Sequence, residues 1–263
     1  MDLGLNGKRA LVLASSKGLG RAAAEALAAE GADIVITSSA QERCDAVAED
    51  IASRFNVKAI GIAADAFDPV ATDALLAKAT DAIGPIDILI LNHTGPHLGV
   101  ATEIDVEELQ RQFLMMVSNP IRLIRGVLPG MRARKWGRII TVSGGSIVQP
   151  LPNKVMDNTL RPAMVGYTKA LANEVAVDGV TVNIILPGTF ITDRVHNSTA
   201  SNARLEGITI EEAMKRRIEG IPARRFGELK EFGATIAFMA GEPSSYMAGS
   251  IVRVDGSQTR SIL

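Results

Sequence analysis

Arg9-Ala10-Leu11-Val12-Leu13-Ala14 runs straight into Ser15-Ser16-Lys17-Gly18-Leu19-Gly20-Arg21, and an alanine-rich stretch follows. The first six residues have strand character, and Leu19–Glu30 carries helical spacing, so the glycines stand in a strand-to-helix turn. Gly18 and Gly20 allow that turn to tighten, bringing the unpaired N–H groups of a helix N-terminus close to a phosphate. Two glycines alone carry little weight. Placed after the first strand and before the first helix, they point to a dinucleotide site, against the plainer reading of an ordinary βα turn.

The same alternation continues outward from this stretch. Arg9–Ala14, Ile34–Thr37, Ala59–Ala63, Ile86–Leu91, Arg138–Val142, Val180–Leu186 and Ile251–Val254 read as strands whose near-continuous Val/Ile/Leu content suits burial on both faces. Between them Leu19–Glu30, Gln41–Phe55, Pro69–Ile83, Val106–Arg134, Pro162–Asp178 and Glu228–Ala240 read as helices. Right-handed βαβ units then build an α/β fold, a doubly wound Rossmann sheet of seven parallel strands with helices on both faces. No linker or repeat divides residues 1–263, so one domain is expected. Residues 189–225 are mostly polar, with Lys215-Arg216-Arg217 and Arg224-Arg225; they form either a helical flap over the sheet's ligand-binding edge or a solvated insertion.

Composition narrows the function further. Hydrophobic residues make up 47% of the chain, enough for a large core, and 28 basic residues are interspersed with 29 acidic ones for a net charge of -1. That balance gives no electrostatic case for nucleic acid or an anionic membrane. No apolar run reaches the roughly 20 residues of a membrane span, and the N-terminus lacks an apolar signal core, so a cytoplasmic setting is expected. The lone Cys44 leaves no internal disulfide, and no metal site is expected.

In detail the chain resembles the short-chain dehydrogenase/reductase family, nearly from end to end, and within it a ketoacyl reductase-like branch. The family's Thr-Gly-x-x-x-Gly-x-Gly reads here Leu13-Ala14-Ser15-Ser16-Lys17-Gly18-Leu19-Gly20, with Ala14 at the first glycine, a change that a right-handed φ would accommodate. Asp65 matches its adenine-contacting aspartate, and Asn92 and Gly95 belong to its Asn-Asn-Ala-Gly. Asn183, Pro187, Gly188 and Thr192 fit its Asn-x-x-x-Pro-Gly-x-x-x-Thr, and Asp255-Gly256 its C-terminal Val-Asp-Gly. The resemblance implies a nicotinamide cofactor held by these residues. The second strand ends Thr37-Ser38-Ser39-Ala40 without the carboxylate that would favour NAD. Lys17 and Arg43 could pair with a 2'-phosphate and Ser38 and Ser39 could hydrogen-bond it, which favours NADP(H) and leaves NAD possible.

The resemblance also exposes a conflict. Family chemistry uses an asparagine on the fourth helix, a serine after the fifth strand, and Tyr-x-x-x-Lys on the next helix. Counting from Val127-Leu128-Pro129 puts Met116 at the asparagine. Counting from Arg138-Ile139-Ile140 puts Gly144 at the serine, and taking Lys169 as the lysine puts Val165 at the tyrosine. Tyr167 lies two residues from Lys169, roughly 200° round a helix, and should face away; Tyr246 reads as packing. Lys169 is expected to orient the nicotinamide ribose, with Ser146 as the better stand-in for serine over Ser143. Arg161, on the same stripe as Lys169 at the mouth of the site, should bind substrate. His93 could titrate near neutrality but is more often structural. Pro120 should kink the fourth helix and free the carbonyl of Met116 for a water relay.

The expected activity is therefore hydride transfer to or from a carbonyl or alcohol, protonated by water, the ribose relay or Ser146. The rival is a catalytically silent NADP-binding sensor or partner subunit. Loss of a positioned acid costs about 10²–10⁴-fold in rate, which impairs an enzyme without abolishing it. The partner is a small-molecule substrate, and the resemblance suggests a homotetramer built partly from the Val106–Arg134 and Pro162–Asp178 helices.

Overall fold

The computed structural model describes residues 1–262, the side chain of Leu205 excepted. Seven parallel strands, β1 (Arg9–Val12), β2 (Asp33–Ser38), β3 (Ala59–Ala63), β4 (Ile88–Leu91), β5 (Gly137–Val142), β6 (Val180–Pro187) and β7 (Ile251–Val254), form one sheet in the order β3-β2-β1-β4-β5-β6-β7. This is the doubly wound sheet expected. Chain order reverses between β1 and β4, and in such sheets a crevice opens there beyond the strands' carboxyl ends.

Side-chain alternation along the strands separates two apolar layers. Ala10, Val12, Ile34, Ile36, Ile88 and Ile90 face one cluster, packed by helices α1 (Gly18–Ala29), α2 (Gln41–Phe55) and α9 (Leu229–Ala240). Leu11, Val35, Leu89 and Leu91 face the other, packed by α3 (Pro69–Ile83), α5 (Asn119–Ala133) and α6 (Val155–Val175). Burial on both faces explains why the strands read as unbroken apolar runs.

Two helices differ from expectation, and both differences bear on the site. The long Val106–Arg134 helix is divided into α4 (Val106–Phe113), a π-helical turn over Leu114–Ser118, and α5. The amide of Asn119 bonds the carbonyl of Leu114, and Pro120 has no N–H to give the carbonyl of Met116. The irregularity is thus a π bulge ahead of the proline and not a simple proline kink. The second helix, α6, starts at Val155 instead of Pro162, seven residues early. Proline suits a first turn, but one inside a helix forfeits only one hydrogen bond and some clash. Here the extra turns bury Met156, Asp157 and Leu160, and a parallel bridge from Gly99 to Lys154 fixes where they begin. Tertiary packing outweighs the local preference.

Residues 189–225 contain α7 (Asp193–Glu206) and α8 (Ile210–Glu219), which pack on each other. Each is capped by a threonine hydroxyl, Thr192 accepting from the amide of Val195 and Thr209 from that of Glu212. Arg217 of α8 donates to the hydroxyls of Ser198 and Thr199 on α7, both at 3.0 Å, and a bridge between Phe190 and Gly227 closes the base.

Ala14 does not adopt the right-handed conformation expected of it: its φ is +47°. The chain must turn sharply out of β1, and the amide of Ala14 is held by Thr37 Oγ1 at 3.2 Å, so alanine sits where glycine would be unstrained. A left-handed alanine costs about 1–2 kcal/mol, of which glycine's extra unfolded-state entropy would return part. Ala14→Gly should therefore raise stability by about 0.5–1 kcal/mol in denaturant titration; an equal loss would show that φ is not the governing term.

Candidate active site

The turn after β1 forms a cradle. The hydroxyl of Ser15 donates to the carbonyl of Val12 at 2.7 Å and accepts from the amide of Thr37 at 2.9 Å. Ser15 is thus wholly buried in the joint between β1 and β2, and its side chain is not available to a ligand. Ser16 is half-buried, Lys17 is exposed in extended backbone just ahead of α1, and Gly18 is left-handed at φ +57°. Leu19 packs against the core. A Cβ on Gly20 would stand 2.2 Å from the carbonyl oxygen of Ala14 and 2.8 Å from Asn92 Nδ2, so only glycine fits. That oxygen accepts a hydrogen bond from Asn92 Nδ2 at 3.2 Å.

The remaining cofactor candidates divide. Ser38 turns its hydroxyl inward, to the carbonyl of Ala40 and Cys44 Sγ. Ser39 is exposed and accepts from Arg43 at 3.3 Å, so the basic and hydroxylic groups beyond β2 are Ser39 and Arg43, with exposed Lys17 in the glycine turn. Asp65 is exposed, one oxygen accepting from the amide of Phe67. Pro187 closes β6; a Cβ on Gly188 would meet Asp255 at 2.6 Å, and Thr192 spends its hydroxyl as the cap of α7. The glycine turn with exposed Lys17, the N-terminus of α1 and exposed Arg43 beyond β2 fit a dinucleotide bearing a 2'-phosphate.

Beside the cradle lies a small chamber at the carboxyl ends of β4 and β5. Its walls are Leu91, Asn92 and His93, Thr141 to Ser143, Met115 and Met116 from the π turn, and Arg161 and Met164 from α6. Asn92 belongs to both chamber and cradle. Arg161 pairs through Nε with Asp157, one turn earlier on α6, and its Nη1 reaches the carbonyl of Val142 at 3.4 Å. The pair is nearly buried, with side-chain exposures of 13% and 7%. The guanidinium occupies the space above Gly144, 3.8 Å from where a Cβ would be. Thr141 Oγ1 is buried there without a hydrogen-bond partner among the described residues.

His93 is the titratable group of this chamber with a fixed proton arrangement. Its Nδ1 accepts from the amide of Gly95 at 3.0 Å, so the neutral ring carries its proton on Nε2. Burial, and then the charges of Arg161 and Arg194, hold its pKa well below the ordinary histidine value. Arg194 of α7 lies over this loop, donating to the carbonyl of Thr94 at 3.2 Å and filling the space beside left-handed Gly95.

Of the expected catalytic groups, the fold brings Arg161 to the chamber and leaves two outside. Lys169 lies two helical turns beyond Arg161 with its side chain exposed, its ammonium against Gly249. Ser146 is buried in a short 3-10 turn, its hydroxyl has no hydrogen-bond partner among the described residues, and it does not line the chamber; Ser143 does. Tyr167 is half-buried against the apolar cluster beneath α6, and burial raises its pKa. Tyr246 is fully exposed instead of packed. Asp157, which precedes the helix expected from Pro162, is the residue sequence reasoning missed; its i, i+4 spacing to Arg161 was the available signal.

Comparison with known proteins agrees with this geometry. Residues 8–203 match the family model for short chain dehydrogenases. The chain is 30% identical over 258 residues to the 3-oxoacyl-(acyl-carrier-protein) reductase FabG of Aquifex aeolicus, spanning 97% of this chain and 99% of that one. It is 30% identical over 254 residues to D-beta-hydroxybutyrate dehydrogenase of Rhizobium meliloti, spanning 96% and 98%. L-sorbose reductase from Gluconobacter frateurii, solved with NADPH and L-sorbose, is similar over the full length of both chains, with a TM-score of 0.95 and 31% identity.

The cradle makes a direct prediction. Gly20→Ala should push the turn off the carbonyl of Ala14 and weaken NADPH binding at least about 10-fold in fluorescence titration, the equivalent of one lost charge-assisted hydrogen bond. Unchanged affinity in a folded variant would place the nucleotide elsewhere.

Proposed function

The chain belongs to the short-chain dehydrogenase family, whose relatives named above are oxidoreductases, and from that premise we propose an NADP(H)-dependent enzyme that reduces a carbonyl, or oxidises the matching alcohol, in the chamber beside Asn92. NADPH in its relative of known structure, with Lys17 in the glycine turn and Ser39 and Arg43 beyond the second strand here, supports the choice of cofactor. Bound nicotinamide would supply or accept the hydride. This chain's own residues would do the rest. Neutral His93 offers Nε2–H as a donor to the substrate oxygen, and Arg161, steadied by Asp157, stabilises negative charge that develops there. Neither guanidinium nor neutral imidazole is a strong acid, so the proton finally comes from water. Ser143 lines the same wall and can share the oxygen. The observation that carries this reading is the fixed Nε2–H of His93 in a chamber contiguous with the glycine cradle.

A second reading, a silent NADP-binding sensor or partner subunit, draws on a different observation. Asp157 and Arg161 satisfy each other, and no phenol lines the chamber. We further propose a homotetramer in the cytoplasm, packed through the outer faces of α4 to α6. No described helix is long and apolar enough to cross a membrane.

NADPH oxidation against a panel of carbonyl compounds separates the two readings. The enzyme reading expects slow turnover that His93→Gln lowers by about 10²-fold, while Lys169→Ala stays within a factor of about 3, as for an exposed side chain remote from the chemistry. Tight NADPH binding with no turnover anywhere in the panel would select the silent reading. Light scattering giving a monomer would remove the tetramer.

A further inference from the structure

Three cations beside the chamber form no ion pair with a carboxylate among the described residues. Lys154 stands at the entrance to α6, half-buried, where the chain bridges to Gly99. Arg194 lies across Thr94 and Gly95, on the loop that carries His93. Arg217 is half-buried with its Nη1 on two neutral hydroxyls, Ser198 and Thr199. They come from three separate segments, the entrance to α6, α7 and α8: the bridge to Gly99 holds Lys154 to the loop that Arg194 crosses, and Arg217 bonds the helix that carries Arg194. Burial lowers the pKa of Lys154, and the charges of Arg194, Arg161 and Arg217 lower it further against the opposing Asp157. Asp157 is already committed to Arg161. Arg216 on the outer side of α8, by contrast, is paired with Glu206 and Glu212.

Like charges brought together and partly desolvated destabilise one another unless an anion joins them. We propose that Lys154, Arg194 and Arg217 form an oxyanion subsite that binds a carboxylate or phosphate carried by the carbonyl substrate, leaving its carbonyl to His93 and Arg161. The inference rests on the oxidoreductase reading in naming a substrate, but the subsite itself does not depend on turnover. The flap supplies two of the three cations, so ligand charge would draw α7 and α8 onto the entrance of α6.

Isothermal titration of the NADP⁺-loaded protein tests this with two matched pairs: levulinate against methyl levulinate, and dihydroxyacetone phosphate against dihydroxyacetone. The expected result is that at least one charged member binds and its neutral partner does not. Raising salt should weaken that binding. Lys154→Gln should weaken it on the order of 10- to 100-fold, the value of a charge-assisted hydrogen bond, and Lys154→Arg should restore it. NADPH affinity, measured separately, should be unchanged in Lys154→Gln. Arg217→Gln provides an independent second variant, with its melting temperature confirming that the flap remains folded. Equal binding of neutral and charged members, or no binding of either charged member, would overturn the subsite. Loss of NADPH affinity in Lys154→Gln would also overturn it, assigning the cations to the nucleotide's own phosphates. Anion binding that follows these variants without any NADPH oxidation would uphold the subsite while removing the reductase reading.

Discussion

Asp157 and Arg161 face each other across one turn of α6, nearly out of water, and neither can be removed without stranding the other. Truncating one partner of such a pair typically costs about 3–5 kcal/mol, whereas the pair itself adds little net stability. Its effect is positional. The salt bridge keeps the guanidinium over Gly144 and against the carbonyl of Val142, so a fixed positive charge borders the chamber. Burial, and then that charge and Arg194, lower the pKa of His93, which favours the neutral ring and makes the histidine a directional N–H donor instead of a cation.

A second constraint joins this chamber to the cradle. Asn92 lines the chamber and also donates to the carbonyl of Ala14, the atom beneath which Gly20 must pass. Ala14 is held left-handed because its amide and that of Ser15 are tied to Thr37 on the neighbouring strand. The strain lies at the switch point of the sheet, where the two halves of a doubly wound fold meet, and strained backbone is tolerated where surrounding bonds over-determine it. Nucleotide site and chamber are therefore two ends of one hydrogen-bonded unit.

The sheet was legible in the residues because strands buried on both faces must be apolar throughout, and the glycine turn because only glycine passes the carbonyl of Ala14. What was not legible depended on contacts distant in sequence. Pro162 looked like a helix start because local preference favours it there, yet burial of Met156, Asp157 and Leu160 and the bridge to Gly99 extend α6 two turns earlier. That displacement hid Asp157; Lys169, taken as the family's lysine, lies two turns of helix beyond Arg161 and does not line the chamber. The positive φ of Ala14 was equally unreadable, since Thr37 imposes it from another strand. Likewise Ser15 and Ser38 looked free in a loop, but their hydroxyls are consumed by backbone and by Cys44.

Chemistry at the meeting point of cradle and chamber depends on a neutral, singly oriented imidazole at His93. Long-range ¹⁵N–¹H spectra of the histidine-labelled protein, assigned through His93→Gln and followed as pH falls from neutrality, test it directly. Because the folded pKa is depressed, His93 should remain in the Nε2–H form through the pH region where an ordinary histidine gains its proton, near 6.5, and the folded state should lose stability as pH drops below that region. An Nδ1–H tautomer, or an imidazolium forming at the ordinary histidine pH, would contradict the account.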